Sequence, residues 1–236
     1  MAPIDIFLWG VCPYIAFTLL IAVTAIRRVH FSRTWTSKSS EFLEKKQERV
    51  ATPLFHAALL FVLFGHLGGF VVPKSVTDAM GLTEHMYHVV AFGMGGLFGI
   101  LLFIGLMLLI KRRFGGDKRM KRNTSTSDKV MYVALTLTII AGCLCTFTNA
   151  DGSYVYRETI MPWIRGVLAF QPDPSLVVDA PWPFKFHMIM WMVFFSILPF
   201  TRIVHMFSGV TAPIKYAKRK AILYRSRLET EPQDQA

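Results

Sequence analysis

ATPLFHAALLFVLFGHLGGFVV, residues 51–72, holds no Asp, Glu, Lys or Arg. A helix needs about 20 apolar residues to cross a bilayer, so this stretch reads as a membrane span. Four further runs read the same way: Ile6–Ile26, Tyr87–Ile110, Val130–Thr148 and Pro183–Ser208. The last is interrupted by Lys185 and Arg202. Both sit near expected interfaces, where long basic side chains extend toward water. Only 17% of the 236 residues are charged, well under the roughly 25% of a soluble domain. The reading is an all-α integral membrane protein of five transmembrane helices in one domain, residues 1–236, with 209–236 as a tail. The first run is retained rather than cleaved, because no basic segment precedes it, and Pro13 is expected to disturb it locally.

Charge sets the expected orientation. Residues 27–50 and 111–129 and the tail are rich in Lys and Arg, whereas 73–86 and 149–182 are not. Basic connections stay in the cytoplasm. The N-terminus is therefore expected outside and the C-terminus inside, in a multi-pass protein of the cell membrane. The net charge of +11 does not imply nucleic acid. It is spread over connections between spans, where it sets orientation and attracts anionic lipid.

The stretch quoted above also carries His56 and His66, and the fifth run carries His187 and His205. An intramembrane ionisable residue is a functional-site hypothesis by default. A lone histidine reads as an interhelical hydrogen bond. Four, on two antiparallel spans, form two depth-matched pairs: His56 with His205 and His66 with His187. Paired histidines on neighbouring helices suit axial ligation of haem iron, so two haems are expected between the helices. A proton relay is the competing reading, but such relays usually include Asp or Glu, and the five runs contain neither.

His187 and His205 lie 18 residues apart, which in one straight helix means a shared face and a rise of about 27 Å. His56 and His66, 10 residues apart, rise only about 15 Å, so the helices must tilt. Cys12, Cys143 and Cys145 include no C-x-x-C-H pattern, so any haem is held non-covalently. Arg202, one turn before His205, is expected to meet a haem propionate. Arg112 and Arg113 end the third run at the same level. They read as interfacial anchors or, for Arg112, as a further propionate contact.

These residues give the chain a family likeness. Pro13-Tyr14-Ile15-Ala16, Leu54-Phe55-His56, Gly65-His66, Lys111-Arg112-Arg113, Phe186-His187 and Pro199-Phe200-Thr201-Arg202-Ile203-Val204-His205 resemble the gamma subunits of respiratory nitrate reductases, di-haem b cytochromes. The likeness covers nearly the whole chain, with the tail beyond about Arg227 as an extension. It implies that His56 and His205 hold the inner b-type haem and His66 and His187 the outer one. It also implies oxidation of membrane quinol near the outer haem. Electrons would pass to a cytoplasmic iron–sulfur subunit and on to a molybdenum catalytic subunit that reduces nitrate. No nitrate site, and no catalytic residue for nitrate, is expected on this chain.

The family's quinol site often has a lysine at the start of the third helix, where this chain has His85-Met86-Tyr87-His88, and Lys74 lies too early to replace it. The quinol site is therefore expected around Gly65, Gly69, His85 and His88. The two histidines alternatively read as interfacial residues bound to water or headgroups. Other openings are a related di-haem subunit of a heterodisulfide-type reductase or nitrite-oxidising enzyme, and a haem-free anchor or transporter.

Overall fold

The computed structural model describes residues 1–31, 48–115, 121–122, 124–204 and 206, without the side chains of Glu48 and Val204. Five helices are long and apolar enough to cross a membrane, and among the described residues there is no strand. The helices are α1 (Pro3–His30), α2 (Glu48–Val71), the short α3 (Lys74–Ala79), α4 (Glu84–Phe114) and α5 (Thr126–Thr148). The short α6 (Ile160–Leu168) and α7 (Ser175–Val178) follow, and then α8 (Trp182–Ile197). The spans fall where the uncharged runs predict them, with α4 extended by a turn at each end.

α1 packs on α8, α8 on α5, α5 on α4, and α4 on α2. The closest backbone approach joins α4 to α2. A Cβ on Gly105 would stand 2.9 Å from the Phe55 backbone, so the missing side chain is what lets the two helices meet. Phe55, Ala58, Leu102, Leu106 and Ile139 fill the core around that contact. α2 and α8 are not among the extensively packed pairs. The two histidine-bearing helices therefore meet through side chains rather than through close backbone packing.

Pro13 acts locally, as expected. A π turn over Phe7–Val11 precedes it, widening the helix where the proline ring removes a donor.

The 149–181 connection caps one end of the bundle. α6 lays its apolar face, Ile160, Trp163 and Val167, against Trp9 of α1. The indole of Trp163 donates to the Trp9 carbonyl at 2.9 Å, and the Tyr14 hydroxyl donates to the Val167 carbonyl at 3.1 Å. Asn149 closes the start of this cap by exchanging hydrogen bonds with the Tyr154 backbone at 3.0 and 2.9 Å.

The fifth span departs from expectation. It does not run as one straight helix to Ser208. The α-helix ends at Ile197, two 3-10 turns follow over Leu198–Phe200 and Arg202–Val204, and Thr201 between them is extended. Pro199 explains the break, because it has no N–H to continue the ladder. The carbonyls freed there find donors: Arg27 donates to Pro199 O and Ser127 donates to Phe200 O. The five-turn relation expected between His187 and His205 presumed one straight helix, and that helix ends at Ile197. His205 itself, and the tail 209–236, lie outside the described residues.

Candidate functional site

His66 of α2 and His187 of α8 lie side by side between the two helices, with ring centroids 6.1 Å apart. Each ring is oriented by a carbonyl. His66 Nδ1 donates to Val62 O at 2.7 Å, one turn back in its own helix. His187 Nδ1 donates to Thr138 O of α5 at 3.0 Å. A carbonyl only accepts, so Nδ1 carries a proton, which in the neutral ring leaves the lone pair on Nε2. The neighbour of His187 agrees: Trp191 Nε1–H donates to its Nε2 at 3.1 Å. His56 follows the same rule, with Nδ1 donating to Thr52 O at 2.8 Å.

Ligating histidines commonly carry this second hydrogen bond, which fixes the tautomer and the ring. The separation also fits. Two metal–imidazole bonds of about 2 Å each, plus the half-widths of the rings, span roughly 6 Å. Among the described residues no three His, Cys, Asp or Glu side chains converge. The donor set is thus a pair of neutral imidazoles, the set an axially ligated haem requires, rather than a closed cage of several ligands.

Glycine makes room for this arrangement. A Cβ on Gly142 would stand 3.0 Å from His187 Cε1, so the ring lies directly on the α5 backbone. On α2, no described atom stands within 4 Å of where a Gly65 Cβ would be, while a Gly69 Cβ would meet the Tyr87 hydroxyl at 3.5 Å. At the start of α4, His88 Nε2 donates to Ala150 O at 3.1 Å and its ring covers Gly152. His85 is exposed.

The opposite end is built from charge. Asp128, only 2% exposed, accepts from Arg113 Nη2 at 2.9 Å and from Arg202 Nε at 3.0 Å. The same carboxylate accepts from Ser125 N–H at 2.9 Å, closing a capping box at the start of α5. One carboxylate thereby ties together α4, α5 and the turns after α8. Arg112, next to Arg113 in sequence, is buried as well. Arg202 thus has a carboxylate partner on its own chain.

A family model described as nitrate reductase gamma subunit matches residues 5–227. The chain belongs to that family. The gamma chain of the Bacillus subtilis nitrate reductase is 42% identical over 93% of this chain and 97% of its own length. The respiratory nitrate reductase 1 gamma chain of Escherichia coli is 29% identical over 95% of this chain and 98% of its own. A nitrate reductase-like protein, NarX, of Mycobacterium tuberculosis is 40% identical, and its match covers 94% of this chain but 34% of that longer protein. With its five apolar helices, this member of the gamma subunit family is a multi-pass membrane protein.

Several residues of the site escaped the sequence reading. Asp128 stands just before the uncharged run 130–148, and was left outside it. Yet Ser125-Thr126-Ser127-Asp128 has the S-x-x-D form of a capping box, which would have started the helix earlier and drawn the acid inward. Gly142 and Trp191 give no sign in the sequence, since their roles depend on which helix packs beside His187.

Proposed function

We propose that this chain is the quinol-oxidising membrane subunit of a respiratory nitrate reductase complex, holding two b-type haems non-covalently. The observation that carries this reading is the His66–His187 pair. Two rings from separate helices stand at iron-bridging distance, each with Nδ1 committed to a carbonyl. His66 and His187 would hold the outer haem, and His56 and His205 the inner one. Bound there, haem supplies one-electron carriers with both axial positions filled, which favours electron transfer over ligand binding. The His187 lone pair that Trp191 satisfies would be the one offered to the iron.

Charge alternation supports the cap end of the bundle facing outward and the basic end facing the cytoplasm. An iron–sulfur subunit then docks at the basic end and feeds a molybdenum subunit where nitrate is reduced. The quinol site lies beside Gly65 and Gly69, where α2 meets the start of α4 with His85 and His88. Arg202, from beside its ion pair with Asp128, and Arg112 would be the residues to meet the inner haem's propionates. The family match supports the nitrate reductase reading over other quinone-linked complexes and over a haem-free anchor.

The test is a reduced-minus-oxidised spectrum of the purified protein, with menadiol as reductant. Two b-type components, reduced by menadiol, are expected. A colourless protein, or b-haem that menadiol leaves oxidised, would defeat the proposal.

A further inference from the structure

One arginine organises the cap end. Arg157 is 4% exposed. Its Nη1 donates to Glu84 Oε2 at 3.0 Å, its Nη2 donates to Thr77 Oγ1, and its Cζ lies 3.8 Å from the centroid of the Tyr87 ring. A guanidinium over an aromatic face is attracted by the ring's negative charge distribution, more strongly when water is excluded. Three elements meet at this side chain: the 149–181 connection, which carries it, α3 through Thr77, and the first turn of α4 through Glu84 and Tyr87. Lys74 ties α3 to the same connection, bridging Asp78 at 2.8 Å and Glu158 at 3.7 Å.

The clamp fixes where the Tyr87 hydroxyl goes. It reaches α2 at Gly69, 3.5 Å from the position a Cβ would occupy, beside the flexible Met161 side chain. Gly69 is three residues from His66, about 4.5 Å along the helix. Gly65, one turn further along on nearly the same face, has no described atom within 4 Å of its Cβ position. A phenolic hydroxyl therefore sits at the mouth of a side-chain-free strip that runs past His66. Of the polar side chains in this turn of α4, His88 is spent on Ala150 and His85 is exposed. Tyr156, next to Tyr87, is pushed well above its ordinary range by burial.

We propose that the Tyr87 hydroxyl is the hydrogen-bond partner of one quinol oxygen, aimed by the buried Arg157 as its positioning residue. A phenol both donates and accepts, so one group serves the quinol O–H before oxidation and the quinone carbonyl after it. This rests on the quinol-oxidising reading above.

Menadiol-driven haem reduction, followed by stopped flow in the assembled complex, tests it. Tyr87→Phe is expected to raise KM for menadiol about tenfold, the cost of one lost hydrogen bond, with the haem spectrum unchanged. Gly69→Ala is expected to raise KM as well, because its methyl narrows the strip and lies against the hydroxyl. Arg157→Gln should raise KM and Arg157→Lys recover part of it, since a cation is restored over the ring. An unchanged KM in Tyr87→Phe would overturn the assignment while leaving quinol oxidation standing. Loss of haem absorbance in that variant would overturn it too, by making the hydroxyl a structural strut. Wild-type complex whose haem menadiol does not reduce would instead sink the underlying reading.

Discussion

The two ends of this bundle order their buried polar groups by opposite means. Around His66 and His187 everything is neutral: imidazoles aimed by carbonyls, an indole N–H, and glycines that leave room. At the basic end a single buried carboxylate is shared by two guanidiniums and a backbone N–H. The neutral end holds each imidazole by Nδ1, and at His187 the Trp191 N–H meets Nε2 as well. The charged end commits its groups to one another. On the proposed reading only the first would be remodelled by a ligand, whereas the second holds three segments of chain together.

The largest effect is expected at the charged end. Asp128→Ala leaves two guanidiniums facing a site without its carboxylate, and breaking a buried pair in this way costs about 3–5 kcal/mol. A large fall in the apparent melting temperature of the detergent-solubilised protein is the measurement. A melting curve like that of the wild type would mean that the carboxylate holds nothing together.

Gly142→Ala is next. Its added carbon would stand 3.0 Å from the His187 ring, which is pinned from both nitrogens, so the ring must shift at a cost of about 1–3 kcal/mol. Haem stoichiometry should drop, or the low-spin resonance of the cap-end haem should change. An unaltered resonance would show that the ring does not lie on α5 in the loaded protein.

Trp191→Phe separates the two ends further. If the metal takes over the lone pair of His187, the indole N–H is dispensable, and haem absorbance should be retained, with a stability change near 1 kcal/mol. Haem loss as complete as in a ligand variant would show that the indole is part of the site.

What the sequence disclosed follows from which physics is local. Uncharged length marks the spans, because hydrocarbon thickness alone sets it, and so His66 and His187 could be assigned to neighbouring depths. The end of α8 was misjudged, since Pro199 sits in an apolar run and its consequences depend on Arg27 and Ser127 supplying donors from other helices. Asp128 was overlooked because a charge at the edge of an apolar run looks like a boundary. Its burial depends on Arg113 and Arg202, distant in sequence. The clamp on Tyr87 was equally hidden, because Arg157 lies 70 positions further along the chain (157 − 87).

The smallest expected effect concerns acid on the cap. Asp151 is held below the ordinary carboxylate range, chiefly by the Ser153 backbone N–H and then by its hydroxyl. A carboxylate with a lowered folded pKa contributes stability that is present above its ordinary value and lost as pH falls through the lowered one. The group is exposed, so the slope should be slight. Melting curves of Asp151→Asn should be less sensitive to acid than those of the wild type, and an identical pH dependence would remove Asp151 from the cap's energetics.

The most direct test of the central claim is the haem-to-chain ratio, with its visible spectrum, of purified His66→Ala and His187→Ala. If the two rings grip one iron, each variant loses one of two haems, and both lose the same spectral component. Full haem content in either variant, or loss of different components in the two, would contradict it.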